Sequence, residues 1–403
     1  MTLPLAPEPA RPIVVLQVLP ALNAGGVERG TIEMTEAIAR AGGAALVASA
    51  GGRLERAVAR AGGRHIAMPL DRKNPVTIWR NAARLAALIR AEGVAIVHAR
   101  SRAPAWSAWL ACRRTGAHFV TTYHGTYSEN LPGKRRYNAV MAQGEIVIAA
   151  SRFIADLIRT RHAVRAERIR VIPRGVDPAI FDPAAVRGER IAALARAWRL
   201  PDGMHTVALP GRLAGWKGQG VLLEALAKLD RPDVIGLLIG AGPDQRAQKR
   251  LARRAQTLGL AGRVRIVGHV EDMPAALMLS DVVVHASTQP EAFGRVVIEA
   301  QAMGRPVIAA DLGGPVETVV QGETGWRVPP GDPDALAEAI AVALDLDPEA
   351  RAALGARARA AVLAGFTTLA MQEATLDVYE AVLHRAPHVP TAADLTPLAA
   401  TPG

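Results

Sequence analysis

The sequence predicts an α/β protein built from two doubly wound, Rossmann-like halves. Three observations carry that prediction. The chain has 403 residues, too many for one ordinary core and suited to two domains of roughly 100–200 residues each. Half of it is hydrophobic but only 4% aromatic, so burial must come from aliphatic side chains, with Gly and Pro punctuating many short elements. Apolar strand-like runs alternate with helix-like runs, the pattern of parallel sheets covered on both faces.

The first strand is PIVVLQVLP (12–20), followed by a helix through VERGTIEMTEAIAR. AALVASA (44–50), VAIVHAR (94–100), HFVTTYHG (118–125), EIVIAAS (145–151) and IRVIPRGVD (169–177) continue the strands, with helices through VTIWRNAARLAALIRAEG and APAWSAWLACRR between them. The alternation pauses over 177–203 and resumes at HTVALPGRL, VIGLLIGAG, VRIVGHV, DVVVHAS and RPVIAAD. This divides the chain into a flexible N-terminus (1–11), an N-terminal acceptor domain (12–176), a linker (177–203), a C-terminal nucleotide domain (204–365), a C-terminal helix packing back on the N-terminal domain (366–386) and a disordered tail (387–403). Open α/β sheets bind ligands beyond the carboxyl ends of their strands, so the site is expected between the two halves.

Composition narrows the function classes. The balance of 48 basic to 37 acidic residues, net +11, attracts anions: nucleotide phosphates, acidic headgroups or nucleic acid. Dispersed basic residues, with no RNA-binding or zinc-ligand pattern, disfavour nucleic acid. No apolar run is long enough to span a membrane, and MTLPLAPEPARP lacks the basic start and apolar core of a signal peptide, so a cytoplasmic protein is expected. The single cysteine, Cys112, excludes an internal disulfide framework and reads as a small buried hydrophobe.

Several loops have the composition of anion sites. ALNAGGVERG puts Gly25 and Gly26 between a strand and a helix, where backbone N–H groups can approach a phosphate; a plain tight turn fits equally. ALPGRLAGWKGQG delivers Arg212 and Lys217 from one loop, a pair suited to neighbouring phosphates, although either alone can be a solvated charge. GAGP (240–243) and GHV (268–270) are further strand-end turns. In QPEAFGRVVIEAQAMGRPVIAADLGGPVE (289–317), Glu291 lies in a loop and Glu299 more than a turn into the following helix. Paired carboxylates can be a hydrolase's acid and base, or can accept hydrogen bonds from sugar and ribose hydroxyls.

GGVERG, TTYHGTY, GRLAGWKG, GAGP, EAFGRVVIE and AMGRPVIAADLGGPVE, in that order, resemble a family 4 (group 1) retaining glycosyltransferase of the GT-B fold, similar to bacterial lipopolysaccharide and envelope glycan enzymes. The resemblance covers roughly 12–385. It implies that Glu299 binds the ribose of a nucleotide sugar and that Glu291 contacts the transferred sugar. Backbone groups of Phe293, Gly294, Arg295 and Val296 would hold sugar hydroxyls and diphosphate oxygens, while Arg212 and Lys217 neutralise the leaving diphosphate. Gly25 and Gly26 would add N–H groups, His124 would lie near the sugar, and Val270 would touch the base. The implied donor is a UDP-, GDP- or ADP-sugar, with no cofactor and no metal; the D-x-D pairs Asp332–Asp334 and Asp345–Asp347 read as a helix start and a helix-surface pair. Ala292 and Arg174 depart from the family's common wording without removing a needed charge. Expected partners are the donor, a glycan or glycolipid acceptor and an anionic membrane surface on the inner face of the cytoplasmic membrane, approached by TYHGTYSENLPGKRRYN and by the helix bearing Trp106, Trp109, Arg113 and Arg114; core packing explains the tryptophans about as well. The alternatives are a sugar-nucleotide epimerase of the same fold and a basic nucleic-acid-binding protein.

Overall fold

The computed structural model describes residues 12–23, 25–242 and 245–385; the expected N-terminal extension, the tail and Pro243 of GAGP lie outside them. The chain forms two compact units. Unit 1 comprises residues up to Ala149, Ala155–Ile172 and the chain from Gln372; unit 2 comprises Ala150–Ile154 and Pro173–Met371.

Unit 1 contains β1 (Val14–Val18), α1 (Gly26–Arg40), β2 (Ala44–Ser49), α2 (Glu55–Arg60), β3 (Arg64–Ala67), α3 (Pro75–Glu92), β4 (Val94–Ala99), α4 (Arg102–Thr115), β5 (His118–Tyr123), α5 (Lys134–Asn138), β6 (Ile146–Ala149), most of α6 (Arg152–His162) and β7 (Ile169–Val171). Its sheet has the order β3-β2-β1-β4-β5-β6-β7. Unit 2 contains α7 (Gly188–Ala197), β8 (His205–Pro210), α8 (Gln219–Leu229), β9 (Val234–Ile239), α9 (Gln245–Thr257), β10 (Val264–Val267), α10 (Met273–Met278), β11 (Val282–His285), α11 (Arg295–Ala302), β12 (Val307–Ala310), β13 (Trp326–Val328), α12 (Pro333–Leu344) and α13 (Pro348–Gly365), with strand order β10-β9-β8-β11-β12-β13. All pairings are parallel. In each sheet the winding reverses once, between β1 and β4 and between β8 and β11, the switch points where such sheets bind ligands.

The strands follow from their composition. Every residue of β6, β9, β11 and β12 is buried, as continuous aliphatic runs require when helices cover both faces. The sequence reading missed β3 and β13, which are edge strands of four and three residues. RHIA and WRV are too short and too mixed to stand out as apolar runs.

Residues 177–203, read as a linker, are built into unit 2. Arg190 on α7 makes a two-pronged ion pair with Asp272 at 2.6 and 2.8 Å, and Leu194, Trp198 and Leu200 pack against Ile235, Leu237 and Ile239. Residues 150–154 also belong to unit 2, where the Glu317 carboxylate accepts the N–H groups of Arg152 and Phe153 at 3.0 and 2.8 Å and so caps α6.

From Gln372 onward the last helix, α14 (Thr368–Leu383), belongs to unit 1. Gln372 Nε2 donates to Glu33 O at 2.7 Å, and the Tyr379 hydroxyl lies 2.6 Å from His98 Nδ1. This contact closes a buried polar chain: His98 Nε2 meets Thr122 Oγ1 at 2.6 Å, and buried Arg100 donates from Nε to Gln17 Oε1 at 2.8 Å. Cys112 is fully buried on α4, and burial pushes its thiol up. The Trp106 indole N–H donates to Tyr137 O at 3.0 Å, and Trp109, 4% exposed, meets Trp106 edge to face. Both tryptophans are therefore packing residues, not the exposed face of a membrane contact.

Candidate functional site

The switch point of unit 2 brings two loops together. The loop after β8 carries Arg212 and Lys217; β11 ends in His285, and the segment after it carries Ser287, Glu291 and the start of α11. Thr288 N donates to Trp216 O at 2.7 Å, joining the loops. Gly218 permits their approach: its φ is +76°, and a Cβ there would lie 1.8 Å from Ala286 O. Any side chain would drive the loops apart.

The result is a cluster on one carboxylate oxygen. Glu291 Oε1 accepts from Lys217 Nζ at 2.6 Å and His285 Nε2 at 2.7 Å, and from the Ser287 hydroxyl. Oε2 receives none of these three donors. His285 Nδ1 is buried without a hydrogen-bond partner, so the tautomer protonated on Nε2 fits the site. Burial pushes the Glu291 carboxyl up, but the hydrogen bond from His285 and the charge and hydrogen bond of Lys217 together outweigh it and hold the group well below the usual carboxylate range. Glu291 is therefore an anion at neutral pH with no proton to give. That removes it as a hydrolase's general acid, whose pKa must be raised.

Glu299 lies on α11, 9% exposed, and faces Arg295 across one helical turn at 3.5 Å. Gly294 caps the N-terminus of α11 with φ +81°, where a Cβ would lie 2.7 Å from Pro315 Cγ. The first-turn N–H groups of α11 have no partner within the helix and carry its positive dipole end. Phe293 is 4% exposed and packs its ring against Phe366 in the core, so only its backbone is available to a ligand. Gly314 N donates to Glu291 O at 2.9 Å, seating the GGPVE loop on this turn.

The remaining expected residues are distributed more loosely. Arg212 is exposed on the Lys217 loop, and its guanidinium makes no ion pair among the described residues. Val270, beyond β10, packs against the β8–β9 core. In unit 1, Gly25 and Gly26 open α1 after β1, and half-buried His124 follows β5. Asp332 caps α12 and Asp334 pairs with Lys228 at 2.6 Å, while Asp345 pairs with Arg231 at 3.0 Å and Asp347 caps α13. Both D-x-D pairs are thus occupied in helix caps and ion pairs. The sequence reading missed His285 and Ser287, although DVVVHAS ended a strand of the second series and the carboxyl end of a strand is where a ligand-facing His or Ser is to be sought.

Residues 191–361 match the model of the group 1 glycosyl transferases, and residues 24–180 that of glycosyltransferase family 4. A glycosyltransferase structure from Rickettsia africae ESF-5 is 36% identical with a TM-score of 0.86, covering 93% of this chain and 100% of that one. The structure of HepE from Anabaena in complex with UDP is 25% identical with a TM-score of 0.80, covering 92% and 100%. A D-inositol 3-phosphate glycosyltransferase from Jonesia denitrificans is 33% identical over 285 residues, 66% of each chain. The chain spans 66%, 61% and 62% of the length of the first three such curated relatives. With two parallel Rossmann-like units and these matches in both, the chain belongs to the group 1 glycosyltransferases of family 4, with the GT-B fold.

Proposed function

We propose that the protein transfers a sugar from a nucleoside-diphosphate sugar to a glycan or glycolipid acceptor, with retention of anomeric configuration and without a metal. The observation that carries this reading is Glu291 held through one oxygen by Lys217, His285 and Ser287 at the unit 2 switch point. Glu291 Oε2 accepts from a hydroxyl of the transferred sugar, and Glu299 accepts from the ribose. Lys217, Arg212 and the first N–H groups of α11, at Gly294, Arg295 and Val296, take up the charge on the departing diphosphate. Gly25, Gly26 and His124 are further candidates for donor binding, and Val270 contacts the base.

The bond from the sugar's anomeric carbon to the diphosphate oxygen breaks as the acceptor oxygen forms its bond on the same face. The acceptor's proton passes to a donor phosphate oxygen. No protein nucleophile enters, and fixed cations do the work of a leaving-group acid.

The complex of HepE with UDP supports a UDP-sugar donor, with GDP- and ADP-sugars the alternatives. For the acceptor, the net charge of +11 favours an anionic molecule. A lipopolysaccharide or envelope glycan is one such acceptor. A phosphorylated polyol is a second reading, favoured by curated relatives named D-inositol 3-phosphate glycosyltransferase. No helix among the described residues is long and apolar enough to cross a membrane, and a peripheral place on the inner membrane face suits a glycolipid acceptor.

Thermal stabilisation by UDP-, GDP- and ADP-sugars identifies the donor, because a ligand that binds the folded state raises its stability by mass action. Release of nucleoside diphosphate only when acceptor is present supports transfer; conversion of donor without acceptor would support the epimerase alternative instead.

A further inference from the structure

We infer that α3 is a docking face for an anionic phospholipid surface. This extends the glycolipid-acceptor reading and rests on it for its purpose, but its physical basis is separate from the catalytic site. Trp79 and Val76, three residues apart on α3, are 60% and 59% exposed. Leu85, Ala86 and Ile89 hold the opposite side of the helix in the core, so the exposed side is fixed outward.

The charge along that side is of one sign. From residue 72 to residue 91 the sequence has no acid, while Arg72, Lys73, Arg80, Arg84 and Arg90 are all exposed. Asp71, at the edge of this stretch, lies 3.9 Å from Arg72. The Arg114 guanidinium stands 6.0 Å from the Trp79 ring, adding a cation beside it. An exposed indole beside a valine, flanked by arginines on a helix whose other side is fixed in a core, suits an interface where rings enter the acyl boundary and cations meet phosphate headgroups. A neutral or basic partner would leave these cations unmatched.

The neighbouring elements extend the face. Ser107 on α4 donates to Ile78 O at 3.1 Å, and the adjacent Trp106 donates to Tyr137 O. One turn of α4 therefore sits between the start of α3 and α5; Arg136 on α5 is exposed, and Leu131 in the loop before it is 59% exposed. Half-buried Trp106 and buried Trp109 of α4 belong to the scaffold beside the exposed tryptophan.

The test uses the full chain with vesicles of phosphatidylcholine alone and of phosphatidylcholine and phosphatidylglycerol in equal parts, without donor or acceptor. Sedimentation with the mixed vesicles but not the neutral ones is expected, weakening as salt rises. The Arg80→Gln/Arg84→Gln double variant should bind about 25-fold more weakly, at roughly fivefold for each cation removed. Brominated acyl chains should quench tryptophan fluorescence in the parent chain and much less in Trp79→Phe. Equal binding of parent and double variant, no binding to mixed vesicles, or a dimer in sedimentation velocity that Trp79→Ser dissociates would each overturn the inference. Thermal shifts with nucleotide sugars on the same variants keep the two readings apart. Vesicle binding without any donor stabilisation would fault the transferase reading alone, and unchanged donor binding without vesicle binding would fault the docking face alone.

Discussion

The ion pair between Lys217 and Glu291 should appear as a measurable coupling in a double-mutant cycle. At 2.6 Å, two unit charges attract by about 6 kcal/mol if the effective dielectric is about 20. Desolvation of both partners opposes that, and His285 and Ser287 remain as donors to the same oxygen when Lys217 is removed. The net coupling expected between Lys217→Met and Glu291→Gln is therefore about 1–3 kcal/mol, read from urea unfolding of the two single variants, the double variant and the parent. The sign of the pH dependence is also set. The folded carboxyl of Glu291 is depressed below 4.5, its ordinary value, so its contribution is fully present above that value and lost as pH falls further, through the folded value. The coupling should then be the same at about pH 8 and about pH 5.5 and shrink only in stronger acid. Additivity of the single variants within about 0.5 kcal/mol at neutral pH would refute the pairing. A coupling already lost by about pH 5.5 would refute the depressed carboxyl.

Three further outcomes are expected. Glu299→Gln should raise the donor KM by about 10- to 100-fold, the worth of one hydrogen bond to a charged group, with the folded state little changed; steady-state kinetics with the donor found by thermal shift measures it. Gly294→Ala places a side chain on a left-handed backbone 2.7 Å from Pro315 Cγ, and should cost about 2 kcal/mol in urea unfolding while weakening donor binding, since the turn sets the start of α11. Tyr379→Phe keeps the ring but removes the hydroxyl 2.6 Å from His98, and should destabilise unit 1 by about 1–3 kcal/mol with donor binding to unit 2 intact, as seen by hydrogen exchange and donor titration.

The inner strands were legible because a strand buried on both faces must be largely apolar, and such runs stand out between polar helix faces. Of the four edge strands, β7 and β10 still showed as apolar runs in IRVIPRGVD and VRIVGHV, whereas RHIA and WRV at β3 and β13 are too short and too mixed to do so. At the site, the separate residues were legible and their meeting was not. Lys217 and Glu291 are 74 positions apart, and only the strand order that sets β8 beside β11 makes them partners. His285 was hidden for a different reason. A histidine at the end of VVVH reads as the last residue of a strand, and its role depends on where the chain turns six residues later. Trp106 and Trp109 have the composition of a membrane contact beside Arg113 and Arg114, yet the indole N–H of Trp106 has an internal carbonyl to bond and the stripe packs inward. The exposed tryptophan lies on the neighbouring helix, a distinction that depends on which face meets the core.

The course of the chain through the two units has a consequence for the order in which they are completed. Unit 1 contains the first strands to be synthesised, yet it also takes its last helical segment from residues 372–385, after the whole of 173–371 has been made. Until that segment arrives, Arg100 and His98 lack Tyr379, and Glu33 and Arg40 lack Gln372. During synthesis unit 2 can therefore finish its core before unit 1 does, the reverse of the usual N-terminal-first order. The earliest-made sheet waits in a form that lacks part of its buried polar chain.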